Sequence, residues 1–150
     1  LLLHQQPVEG DLRRVSAALK MVTDMERVGD QAADIAEIVV QMNEKLPDQF
    51  LHICKMGTVA MKMVNDSVNA YVDMKLDLAR EVIKSDDEVD ELFLKVRGEI
   101  LDAIREDSSR GEELLDLFMI TKYYERIGDH ATNIAEWVEY AITGERSEEN

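Results

Sequence analysis

Residues 26–37 read ERVGDQAADIAE, and residues 125–136 read ERIGDHATNIAE. Eight of the twelve positions are identical, Val28 and Ile127 exchange conservatively, and the offset is 99 residues. Self-similarity at that distance, inside helix-forming sequence, points to duplicated helical units. The duplication extends to the apolar pattern. Ala18, Met21, Met25, Val28, Ala32, Ile35, Val39 and Met42 alternate three and four residues apart. Ninety-nine positions later stand Leu117, Ile120, Tyr124, Ile127, Ala131, Ile134, Val138 and Ala141. Each set forms one seam at coiled-coil spacing, the pattern of helices packed nearly antiparallel in a bundle.

Seven glycines and two prolines are too few to punctuate many strands and turns, so the expected fold is all-α. Four long helices are predicted. The first runs from Asp11, a candidate N-cap, to Leu46, after a loop at Gln6-Pro7-Val8-Glu9-Gly10; residues 1–5 then read as the tail of a preceding helix. Pro47 and Asp48 start a second helix that ends at Val72. Asp73 caps a third running to Glu106. Asp107 to Gly111 form a loop, and the fourth helix spans Glu112 to Thr143, stopped by Gly144. The architecture expected is antiparallel helical bundles in tandem three-helix repeats. Residues 1–47 supply the last long helix of one repeat, and residues 48–150 supply a complete second repeat. The chain does not begin with methionine, and an N-terminal portion is expected to be missing.

Charge narrows the function classes. Seventeen basic residues against 32 acidic ones give a net charge of −15, which repels nucleic-acid phosphates and anionic lipid headgroups. Cations and basic protein surfaces are what such a chain attracts. No apolar run reaches the roughly 20 residues needed to cross a bilayer. The single cysteine, Cys54, has no internal disulfide partner, consistent with a reducing compartment, and a cytoplasmic location is expected.

Off each seam runs a row of acids. Glu26, Asp30 and Asp34 stand at i, i+4 and i+8 and climb one side of a helix with about 40° of drift per step. Their counterparts are Glu125, Asp129 and the amide Asn133. Acids four apart repel by a few tenths of a kcal/mol, and a bridging cation reverses that sign. Oxygen ligands suit iron, manganese, magnesium or calcium, with zinc also compatible. Asp86 and Asp90 repeat the spacing on the third helix. If that helix lies beside the fourth, Asp86, Asp90, Glu125 and Asp129 converge as a solvent-open metal site. In a chain this acidic, the ordinary alternative is a solvated face. Gly29 and Gly128 sit mid-helix at equivalent places, each costing about 1 kcal/mol relative to alanine. Two copies that carry this cost point to a close approach of backbone or ligand, or to an inherited helix-packing glycine. His130, matched by Gln31, is expected at the surface, as are Arg27 and Arg126. His4 and His52 have no acidic companion at ligand spacing, while Cys54, Trp137 and the methionines read as core or interface.

No catalytic constellation is present: no phosphate-binding Gly-rich loop, no nucleophile elbow, no His-Glu-x-x-His and no EF-hand loop. None of the three histidines follows a glutamate by three residues, so the Glu-x-x-His element of di-iron bundles is missing.

The paired ERVGDQAADIAE and ERIGDHATNIAE, together with SDDEVDELF and QQPVEGDLRRV, resemble the PhoU family of phosphate-transport accessory proteins, over essentially the whole chain. The resemblance implies a non-enzymatic regulator of phosphate uptake and phosphate-starvation signalling. Such proteins restrain the phosphate ABC transporter and help keep the phosphate-sensing system silent. The implied partners are the transporter's ATPase subunit and the phosphate sensor histidine kinase, with a homodimer expected and neither nucleic acid nor membrane insertion. It also implies metal ions (iron, zinc, manganese or magnesium) held by Glu26, Asp30, Glu125 and Asp129, with Asp86 and Asp90 matching the acidic motif of the third helix. The competing reading is a carboxylate-bridged metal-binding or storage bundle or a metalloenzyme. A third is a metal-free interaction scaffold.

Overall fold

The computed structural model describes residues 2–42 and 50–146. They form four helices: α1 (Leu2–Met42), α2 (Leu51–Asp73), α3 (Leu76–Glu106) and α4 (Gly111–Thr143). One 3-10 turn, Ser108–Arg110, precedes α4. The all-α expectation is met, and among the described residues there is no strand.

The second seam behaves as its pattern requires. Leu117, Ile120, Ile127, Ala131, Ile134, Val138 and Ala141 are all buried, and Tyr124 is the one partly exposed member. α1, α2 and α3 each pack along α4, and α2 and α3 also pack on each other. α4 is therefore the central helix, covered on several sides, and its burial far exceeds one amphipathic stripe. It even encloses Thr121 and Thr132. Their hydroxyls donate back to the Leu117 and Gly128 carbonyls at 2.8 and 3.0 Å, so no buried hydroxyl goes unmet there.

α1 lies antiparallel to α4. Arg13 lies near Gly144, Asp24 bonds His130, and Ile35 shares a cavity wall with Ile127. Along this register Val28 falls level with Ile127. Because those two residues are also equivalent in the repeat, the two motif copies face each other about an approximate two-fold axis through that crossing.

Three expectations are corrected. The first concerns the α1 seam. The stripe that faces the bundle is Ala17, Met21, Asp24, Val28, Gln31, Ile35, Ile38 and Met42, with Arg13, Ala18 and Asp34 half-buried at its edges. Of the predicted set, Met21, Val28, Ile35 and Met42 face inward and Ala18 is half-buried, whereas Met25, Ala32 and Val39 are exposed. The true face has the same three-and-four spacing but admits two polar residues, which an apolar count passes over. The second is the loop at Gln6 to Gly10: α1 continues through it. Pro7 removes one backbone hydrogen bond and Gly10 costs about 1 kcal/mol. Beyond them, Arg13 lies near Gly144 and the Arg14 carbonyl accepts from the Tyr71 hydroxyl at 3.0 Å, which ties this end of α1 to the bundle. The third is Asp73, which ends α2 instead of capping α3; Lys75 holds the N-cap position without a side-chain hydrogen bond. Leu46, Pro47 and Asp48 lie outside the described residues.

The α2–α3 turn is made by Met74 in the left-handed region (φ 52), its N–H bonded to the carbonyls of Ala70 and Tyr71. A side chain with a Cβ pays about 1 kcal/mol there, and glycine pays nothing. Met74→Gly is expected to raise stability by up to about 1 kcal/mol, read as a higher urea midpoint. A lower midpoint would mean that Met74's packing outweighs its strain.

Candidate functional site

The acids singled out by the repeat occupy two places. Glu26 and Asp30 are exposed on α1, and Asp34 is half-buried. On the other copy, Glu125 is half-buried and its carboxylate accepts from Lys122 Nζ at 3.1 Å, while Asp129 is exposed. α3 and α4 meet between these acids. An ideal Cβ built on Gly128 would stand 3.4 Å from Val89 Cγ1. Val89 is flanked in its helix by Asp86 and Asp90, and Gly128 by Glu125 and Asp129, so the two acid pairs lie at one level of the α3–α4 contact. Level is not convergence: among the described residues no group of three or more His, Cys, Asp or Glu is placed to hold a metal ion. The four-carboxylate cluster expected at this level is therefore not assembled. Asp86 and Glu125 are half-buried, Asp90 and Asp129 are exposed, and Glu125 already has a cation in Lys122.

The glycines divide in the same way. Val89 is what approaches Gly128, whereas among the described residues nothing lies within 4 Å of a Cβ built on Gly29. The second copy's glycine thus has a packing neighbour in α3, and among the described residues the first copy's glycine has none.

His130 corrects the expectation of a surface role. Its Nδ1 stands 3.0 Å from Asp24 Oδ1, with the two side chains only 16% and 13% exposed, and joins α1 to α4 across the repeat interface. His52, which has no acidic companion in sequence, bonds Glu99 of α3. Both partners are distant in sequence, so spacing rules could not find them. Arg126 lies over the ring of Tyr123 at 5.6 Å, and Arg146 over Trp137 at 4.1 Å while donating to the buried Glu136 at 2.7 Å. Arg80 of α3 reaches Glu139, another buried acid of α4, at 3.3 Å.

Between α1 and α2, above α4, runs an open groove of about 850 Å³. Nearer the α2–α3 turn the Tyr71 hydroxyl donates to the Arg14 carbonyl at 3.0 Å and joins α2 to α1. Ala32 and Ile35 form one wall, Cys54, Thr58 and Met61 the other, and Tyr124 and Ile127 the floor. Cys54 is thus exposed at a groove, not buried in the core. Burial pushes the Tyr124 phenol above its ordinary value, with a smaller push from Cys54, so it stays protonated at neutral pH. Gly57 is needed here: a Cβ on it would come 2.8 Å from the Tyr124 ring. Among the described residues, the charged side chains that share the lining with Cys54 are Lys62 and Asp66.

The PhoU domain family model matches residues 1–39 and 53–138. A phosphate-specific transport system accessory protein PhoU homolog from Clostridium acetobutylicum is 42% identical over the whole chain, which spans 69% of that relative. The namesake in Pseudomonas aeruginosa is 33% identical over 96% of the chain and 60% of its own length. The crystal structure of PhoU from Pseudomonas aeruginosa superposes with a TM-score of 0.86 at 32% identity, covering 96% of this chain and 70% of that one. That of the phosphate transport system regulatory protein PhoU from Streptococcus pneumoniae gives 0.82 at 27% identity, over 93% and 66%. The chain thus spans about two thirds of the proteins it matches, with the doubled motif and the central α4 inside the matched region, and it belongs to the PhoU family.

Proposed function

We propose that the chain regulates phosphate uptake and phosphate-starvation signalling, restraining both through protein–protein contacts in the cytoplasm. The observation that carries this reading is its 42% identity, over its full length, to a protein named as an accessory of the phosphate-specific transport system. The proposed partners are the transporter's ATPase subunit and the phosphate sensor histidine kinase, and the active form is a homodimer. A net charge of −15 suits docking onto basic surfaces, and no described helix is long and apolar enough to cross a membrane. The role is that of a non-catalytic adaptor. Expressed in a bacterium lacking its own family member, the chain is expected to restore repression of a phosphate-starvation reporter in phosphate-rich medium. Stable expression with the reporter still fully on would sink the reading.

Metal binding is a separate part of this proposal. Support comes from the repeated E-x-x-x-D and from the common level of Asp86, Asp90, Glu125 and Asp129 at the α3–α4 contact. As placed, these side chains do not form a coordination shell, and a metal would need rotations that bring in a third carboxylate. Elemental analysis should find iron, zinc, manganese or magnesium in the purified protein, lost in a Glu26/Asp30/Glu125/Asp129→Ala variant. Equal metal in both, or none in either, would remove the motifs as ligands while leaving the adaptor reading standing.

A further inference from the structure

α3 and α4 leave a second groove between them, distinct from the acidic motifs and from the α1–α2 groove. It is about 290 Å³, runs from the C-terminal half of α3 to the N-terminal half of α4, and is lined by Ile100, Leu101, Ile104, Leu115 and Phe118, with Arg97 at its rim. Leu94, on the same stripe of α3, is 64% exposed, Leu115 61%, Ile104 39% and Leu101 38%. On α3 the positions 94, 97, 101 and 104, and on α4 the positions 111, 115 and 118, follow the three-and-four spacing of a helix-packing face. Next to the lining residue Phe118, the ring of Phe93 lies 6.1 Å away and beneath Lys122 at 5.0 Å. Four large aliphatic side chains in one stripe pair are more than the scattered surface leucines of a soluble chain, and such grooves mark interaction sites. The eleven residues from Leu94 to Ile104 span about 15 Å, enough for about three turns of a guest helix.

Charge selects the occupant. Residues 91–122 carry eight acids and five bases, and the whole chain carries −15. A second copy would bring the same negative field to this groove, and like-charge juxtaposition disfavours pairing here, so the proposed homodimer uses another face. A helix with an apolar stripe and lysine or arginine flanks meets both the groove and its surroundings. We propose that the α3–α4 groove docks a basic amphipathic helix of a protein partner. This surface goes beyond the phosphate-regulatory reading and does not depend on it.

The test is fluorescence anisotropy with a labelled 14-residue peptide carrying leucines in a three-and-four stripe and lysines elsewhere. Two control peptides have the same composition with the stripe scrambled, or glutamate in place of lysine. Binding of the first peptide in the micromolar range is expected, at least tenfold weaker for either control. Leu101→Gln with Leu115→Gln should weaken it at least tenfold, and circular dichroism should report an unchanged fold because both side chains are partly or largely exposed. Leu94→Gln, at the most exposed position, supplies a second reading if that pair is unstable. Absence of binding at 100 µM (about 5 kcal/mol of affinity), equal binding of the scrambled peptide, or no effect of the substitutions would overturn the proposal. So would sedimentation showing a dimer abolished by the same substitutions, which would assign the groove to a second copy.

Discussion

Ile127→Ala is expected to cost about 3 kcal/mol of unfolding free energy, lowering the melting temperature by roughly 10 °C, while Val28→Ala costs about 1 kcal/mol. The two residues hold the same place in the repeated motif and the same level at the α1–α4 crossing, yet their surroundings differ. Ile127 is 1% exposed, on a helix packed by α1, α2 and α3 together, so deleting three carbons leaves a cavity that several rigid neighbours cannot close. Val28 is half-buried on a helix that packs chiefly on α4, and a smaller loss of burial with solvent nearby is cheaper. Urea denaturation of both variants with an unchanged slope gives the comparison. Equal losses would mean that α1 contributes to the core as fully as α4 and that the central position of α4 is overstated.

That asymmetry also marks how far the sequence was readable. The α4 seam was legible because seven of its eight apolar positions are buried, although the helix also encloses Thr121, Thr132, Glu136 and Glu139, which an apolar pattern passes over. The α1 seam was read half a face off. Met25, Ala32 and Val39 are apolar but turn outward, and the inward places between Met21, Val28 and Ile35 belong to Asp24 and Gln31. Asp24 is tolerated there because His130 arrives from the other repeat, a partner 106 residues away. Under the 99-residue offset the exposed Val15, Leu19 and Val22 correspond to Leu114, Phe118 and Thr121, which are buried or half-buried on α4. An apolar pattern therefore records what a helix is built to cover, whether or not the described residues include its neighbour. Helix ends were legible where glycine acts, as at Gly144 (φ 81), and not at Met74, since nothing in methionine announces a left-handed turn. Of the candidate site, the acids and their shared level could be derived from spacing plus one helix contact. Whether the carboxylates meet depends on side-chain direction, and spacing does not contain it.

Gly128→Leu is expected to destabilise the chain by about 2 kcal/mol, whereas Gly29→Ala should stabilise it by up to about 1 kcal/mol. The motif is the same and the sign is opposite. At both positions a side chain relieves the entropic penalty of glycine in a helix. At Gly128 the first carbon alone would already stand 3.4 Å from Val89 Cγ1, so the outer carbons of leucine must displace α3 or leave their rotamer. At Gly29 nothing among the described residues lies within 4 Å, and the helix gains without a collision. Val89→Ala removes the obstructing methyls, and the Val89→Ala/Gly128→Leu double variant should recover at least half of the loss of Gly128→Leu. The recovery matters because it separates two meanings of the repeated glycine. A glycine kept for α3–α4 packing is rescued by making room on α3. A glycine kept so that a ligand can reach the backbone beside Glu125 and Asp129 is not, since the leucine would still fill that approach and Val89 would be incidental. Thermal unfolding of the four proteins decides between them, and a double variant no more stable than Gly128→Leu alone would move the weight of the motif from packing toward the acids.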